Sequence, residues 1–394
     1  MITQQEYLDR MARLQQQVTA HGLDAYLVSA EESIYYLTGV SYRPLERPFF
    51  IVVRPGTPAT LVTPALEREH LHQAPNVGEV RTYWDYPSPP GLGWAERLAE
   101  AIGSVSRLGV EPSLPQEIAV RLPTPPPQIV PLVEQLRLVK SAAEVEMLRQ
   151  AAHYADLSIE KVLAASYFGV SDLELFSQGR AVQMQIMKDT DYDVLTTSVL
   201  VGAWPAPLSA QPHSVPKLED RLKEGPHIAL ALLRVNGYAA ECERTYFLAP
   251  ATKEVKDAFA AMQEARRRAF ALVRPGARCA DIDAAANGYL RERGYGDHLL
   301  HRTGHGFGLG NHEGPWVAEG GEEVLQENML VSVEPGIYLP GVGGVRHSDT
   351  VLVTREGYEL LTHFPTDLDR LTITAFKPLH RLQGAAVRRA VGIQ

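Results

Sequence analysis

Cysteine is scarce in this 394-residue chain, which has only Cys242 and Cys279. Two thiols cannot staple a fold, and their separation fits no structural zinc site. Basic charge is scarce too: 38 Lys and Arg stand against 47 Asp and Glu, a net charge of -9. No Lys/Arg run is dense enough to neutralise a row of phosphates, so nucleic acid is not an expected partner. No apolar run is long enough to span a bilayer, which leaves the membrane out. The opening MITQQEYLDRMARLQQQ is too polar for a signal peptide, so the expected location is cytoplasmic.

The chain is long enough, and with 45% hydrophobic residues apolar enough, for two globular domains with separate cores. Thr3 and Glu6 have capping-box spacing, Tyr7, Met11, Leu14 and Val18 form an apolar stripe, and Gly22 ends it, which predicts a first helix. Strands are expected at Leu23 to Val28, Phe49 to Val53 and Thr60 to Val62, alternating with helices around Ala65 to Leu71 and Ala95 to Ile102. This reads as an α/β domain. Pro123, Pro125, Pro126 and Pro127 interrupt regular structure, and a long amphipathic helix is expected after Pro131, with a second capping box at Ser141 and Glu144. The expected domains are therefore 1–132 and 133–394.

The chemistry lies in the second domain. IALALLRVNGYAAECERTYFL, Ile228 to Leu248, reads as a β-hairpin turning at Asn236-Gly237. Side chains alternate along a strand, so Glu241 and Glu243 share a face and Cys242 points away. Paired carboxylates are often only a solvated strand edge, but Tyr246, Phe247 and Leu248 argue for burial. Glu334 ends the apolar run that starts at Val331, before a Pro-Gly turn. His213 lies in a Pro-flanked loop, AQPHSVP, where a histidine is commonly a surface residue; His305 and His312 have the plain alternative of hydrogen-bonded loop histidines.

The order GYxxE…RT, TGHGFG, HExP (His312, Glu313, Pro315), EPGIY and GGVR…D resembles the pita-bread hydrolase superfamily, which includes Xaa-Pro dipeptidases, aminopeptidase P, methionine aminopeptidases and creatinase. YYLTG at Tyr35 to Gly39 and RLVKSAAEVEMLR from Arg137 to Arg149 are similar to its N-terminal domain and junction helix. The resemblance implies an α/β N-terminal domain, then an α+β pita-bread catalytic domain, and a homodimer. It also implies two divalent metals held by two aspartates, a histidine and two glutamates. Here those positions are Leu230, Glu241, His305, Glu334 and Ser348. Leucine donates no electron pair and serine is a poor neutral ligand, so a dinuclear centre is not expected. If one ion binds (Mn, Co or Zn), the expected donors are Glu241, His305 and Glu334.

Glu243-Arg244-Thr245, Glu334 and His213 resemble the substrate-binding and proton-transfer groups of metal-free creatinase. Arg47-Pro48 resembles a pair that creatinase inserts into its partner's site. Ser348 and the retained His312-Glu313 depart from that enzyme, which puts creatine itself in doubt. The expected function is hydrolysis of a carbon-nitrogen bond in a small dipeptide-like, amide or guanidino substrate. His213, His312 and Glu334 are its expected catalytic residues, and Arg47, Glu241, Glu243, His305 and Arg346 bind substrate. The alternatives are an Xaa-Pro dipeptidase or aminopeptidase with a one-metal site, and a binding protein without catalysis.

Overall fold

The computed structural model describes residues 2–71, 74–123, 126–374 and 377–393; Pro125 of the proline run lies outside them. The chain divides into two compact units, Met1–Arg137 and Leu138–Gln394.

In the first unit, helix α1 (Gln4–Ala20) starts where the Thr3 hydroxyl accepts the Glu6 N–H, and it buries Met11, Leu14 and Val18. Six strands follow: β1 (Ala25–Val28), β2 (Phe50–Val53), β3 (Ala59–Pro64), β4 (Val77–Tyr83), β5 (Leu108–Val110) and β6 (Gln128–Ile129). They form a mixed sheet in the order β4-β3-β2-β1-β5-β6. Helix α2 (Trp94–Ile102) packs Trp94, Leu98 and Ile102 into the core with Phe50, Val52 and Val110. The helical stretch expected at Ala65 to Leu71 is a 3-10 turn followed by one α-helical turn.

The single helix expected after Pro131 is two helices, α3 (Leu132–Leu138) and α4 (Ala142–Ala165). The break comes at the second capping box. Ser141 Oγ accepts the Glu144 N–H and the Glu144 carboxylate accepts the Ser141 N–H, which starts a new helix rather than continuing an old one.

The second unit is built on an antiparallel sheet ordered β11-β10-β12-β15-β9-β8-β7. Its strands are β7 (Ser198–Trp204), β8 (His227–Val235), β9 (Tyr238–Tyr246), β10 (Gly304–Gly306), β11 (Glu313–Val317), β12 (Leu330–Ser332) and β15 (Ser348–Thr354). A separate ribbon pairs β13 (Gly336–Leu339) with β14 (Gly343–Arg346), and β16 (Gly357–Leu360) extends β15. Asn236 and Gly237 both have positive φ, 47° and 93°, so β8 and β9 join through a two-residue turn that fixes their register. Helix α4 packs against β8 and β9, and α5 (Lys253–Phe270) buries Val255, Phe259 and Met262.

Candidate active site

The register of β9 places the site. Across the ladder Glu243 lies between Leu230 of β8 and Ser348 of β15, while its neighbour Cys242 opposes Asp349. Glu241, Glu243 and Glu334 come together with carboxylate oxygens within 4.8 Å of one another, all three buried. The hairpin supplies two of these carboxylates and the segment after β12 supplies the third.

Three carboxylates at this range need counter-charge. Arg346, at the end of β14, meets Glu243 with two nitrogens: Nη2 donates to Oε1 at 2.6 Å, and Nε approaches Oε2. His305 Nε2 lies 3.2 Å from Glu334 Oε1, which also accepts the Ser332 hydroxyl at 3.1 Å. Burial alone would lower the His305 pKa, but the carboxylates of Glu334 and Glu241 raise it, so the imidazole is held toward its charged form. Burial would raise Glu334, yet His305, with His301 and Arg346 behind it, holds this carboxyl well below the usual range.

Glu241 has no such partner. Its Oε1 accepts no hydrogen bond, and burial together with the charge of Glu334 pushes its pKa up. Burial and the charges of Glu241 and Glu334 also push Glu243 up, against the pull of Arg346. Two cations thus face three carboxylates. Neutrality requires one more proton or one more positive group within the trio.

The ring of His312, an exposed residue, lies tilted by 41° against that of His305 with centroids 3.8 Å apart, and desolvation followed by the charge on His305 lowers its pKa to about 4. Glu241, His305 and His312 form a second set of donor atoms within 4.8 Å. A dinuclear metal centre does not fit these residues: Leu230 has no donor, Ser348 Oγ is a buried neutral hydroxyl, and Glu243 is engaged by Arg346. A single ion fits the donor count, since Glu241, His305 and His312 would leave a coordination position open. That trio holds His312 in place of the Glu334 expected from sequence, whose Oε1 lies 3.2 Å from His305 Nε2.

The opposite sheet face is structural. Arg244 Nη2 donates to Asp349 Oδ1 at 2.6 Å, Arg266 of α5 binds Oδ2, and Thr362 Oγ1 donates to Oδ1 at 2.8 Å. His347 packs edge-on against Phe259 on that side. Burial raises the Cys242 thiol far above its ordinary pKa, which leaves it no thiolate with which to attack.

His213 is exposed in the loop between β7 and β8. Arg47 lies in the first unit, where it pairs with Asp85 at 2.6 Å and with Glu46 at 2.7 Å.

Two participants were not singled out from sequence. The Tyr338 hydroxyl accepts Arg346 Nη1 at 3.0 Å and contacts His301 Nε2 at 2.7 Å, extending the Glu243–Arg346 pair to a half-buried imidazole. Tyr338 closes the EPGIY motif, two residues past the Pro-Gly turn. That position was the signal available.

An antiparallel sheet that gathers carboxylates, imidazoles and a guanidinium in one largely buried cluster, in a chain whose first unit is an α/β domain, defines a hydrolase of the pita-bread type. The chain belongs to metallopeptidase family M24, which matches residues 146–355, and residues 10–149 match the creatinase/prolidase N-terminal domain. YkvY of Bacillus subtilis, a dipeptidase by name, is 31% identical over 369 residues, covering 92% of this chain and 99% of its own length. The dipeptidase PepE from Mycobacterium ulcerans superposes with a TM-score of 0.81 at 29% identity, covering 93% of this chain and 98% of that one. An Xaa-Pro dipeptidase from Bacillus anthracis gives 0.77 at 27%, covering 92% and 99%.

Proposed function

We propose that this protein hydrolyses small dipeptide-like substrates in a site that has given up the dinuclear metal centre. The observation that carries this reading is the Arg346–Glu243 pair beside Leu230 and Ser348: guanidinium charge stands where a cation would need donors. The dipeptidase neighbours support the substrate class.

Glu241, the carboxylate without a cation, receives the substrate's ammonium group. Charge pairing in a buried site orients the peptide bond before any chemistry. Glu334, held ionised, accepts a hydrogen bond from the attacking water and orients it, while His213 takes the water's proton as oxygen adds to the scissile carbonyl carbon. His213 protonates the leaving nitrogen as the carbon-nitrogen bond breaks, since an imidazole gives and takes protons near neutral pH. Neutral His312, packed against His305, hydrogen-bonds the substrate beside the reacting carbonyl. Arg47 acts from the first unit on a neighbouring copy's site, in a cytoplasmic homodimer.

A second reading has its own observation. The convergence of Glu241, His305 and His312 suits one divalent ion, which would supply a Lewis acid and an activated water. Amino-acid release from a panel of Xaa-Pro and other dipeptides decides between the two. Activity that persists after exhaustive chelation supports the first reading, activity that chelator abolishes and Mn, Co or Zn restores supports the second, and binding without turnover refutes both.

A further inference from the structure

The junction segment RLVKSAAEVEMLR contains a lysine that the chemistry above does not use. Lys140 has a side chain only 1% exposed, and its ammonium lies 3.2 Å from Glu313 Oε1 and 3.2 Å from the carbonyl of Leu138. An ammonium is strongly hydrated, and removing it from water is favourable only where a carboxylate of good geometry receives it. Its partner is 173 residues away and stands next to His312.

Glu313 holds a loop in turn. Its Oε2 accepts the N–H of Gly310 at 3.1 Å, and its Oε1 lies so close to Gly308 that a Cβ there would come within 2.1 Å of it. Gly308 accepts the N–H of Ala239 at 2.8 Å, which ties the loop to β9 two residues before Glu241. The backbone N–H of Lys140 donates to Asn328 at 2.9 Å, so the lysine itself is fixed at its base. The path runs from Lys140 through Glu313 to the 308–313 loop, and so to His312 on His305.

We propose that Lys140 is a positioning residue: by locking the Glu313 carboxylate, it fixes the 308–313 loop against β9 and holds His312 packed against His305. The inference rests on reading His312 as part of the substrate site, but its first test does not require activity.

That test is amide hydrogen exchange of the full-length protein. Lys140→Met should speed exchange of peptides spanning 307–313 by about tenfold or more, while the sheet of the first unit and helix α5 keep native protection. Lys140→Arg, which retains the charge, should restore protection to near the native level. Unchanged exchange of the loop in folded Lys140→Met, or an increase spread evenly over the second unit, would overturn the proposal. If Lys140→Met does not fold, Glu313→Gln serves instead, and native-like protection at Gly310 in that variant is equally contrary.

Turnover is the second readout. With a dipeptide that the native protein cleaves, Lys140→Met should lower kcat by about 100-fold with little change in KM, because a displaced catalytic group costs orientation rather than ground-state binding. A rise in KM alone would contradict it. If the native protein cleaves no dipeptide, the functional reading fails and exchange alone decides the role of Lys140.

Discussion

Arg346 and Glu243 form a two-point ion pair inside the second unit, with Nη2 to Oε1 at 2.6 Å and both side chains almost wholly buried. Buried pairs of this kind add little net stability over an apolar replacement, but breaking one leaves a charge without solvent or partner. Arg346→Met should therefore destabilise the protein by about 3–5 kcal/mol at neutral pH. Arg346→Met/Glu243→Gln should recover most of that loss, as denaturant unfolding of the native, single and double variants will show.

Glu241 makes the opposite prediction. Burial and the charge of Glu334 raise its folded pKa above the ordinary 4.5, so its contribution to stability is present below that value and is lost as pH rises through the folded pKa. Glu241→Gln removes the titration. The variant should be more stable than the native protein at pH 8, with the gap closing toward pH 4.5. It should also raise KM for a dipeptide with a free amino group, because the ammonium loses its partner. Thermal melts across pH and steady-state kinetics test the two halves separately.

His227 carries a pH dependence of the other sign. Its Nδ1 accepts the N–H of Ala206 at 2.9 Å and its Nε2 faces the carbonyl of Lys223 at 3.2 Å, so the neutral ring ties down both ends of the loop that bears His213. Burial lowers its pKa from 6.5 to about 4. A depressed histidine stabilises the fold above its unfolded pKa, and that stability is lost as pH falls through the folded value. Between pH 6.5 and 4 it should account for roughly 3 kcal/mol of lost stability. His227→Gln should flatten this slope, as measured by unfolding free energies at half-unit pH steps.

Much of this architecture is legible in the sequence because local chemistry dictates it. The Asn236-Gly237 turn sets the β8–β9 register, and strand alternation then puts Glu241 and Glu243 on one face and Cys242 on the other. The Ser141–Glu144 box is visible as a helix start, although the break it imposes after Leu138 is not. Contacts between distant segments leave no such trace. Nothing near Tyr338 announces that its hydroxyl bridges Arg346 and His301, and nothing in the junction segment announces that Lys140 meets Glu313. Charge partition within the cluster is equally nonlocal. Crowding predicts that carboxylate pKa values rise, yet Glu334 falls because His305 lies 3.2 Å away.

The central claim concerns what Leu230 and Ser348 have removed. Metal content per chain, measured by mass spectrometry after equilibration with excess Mn, Co or Zn and removal of unbound ion, tests it most directly. At most one ion per chain is predicted, with native-like melting in the chelated protein; two tightly held ions per chain would contradict the account.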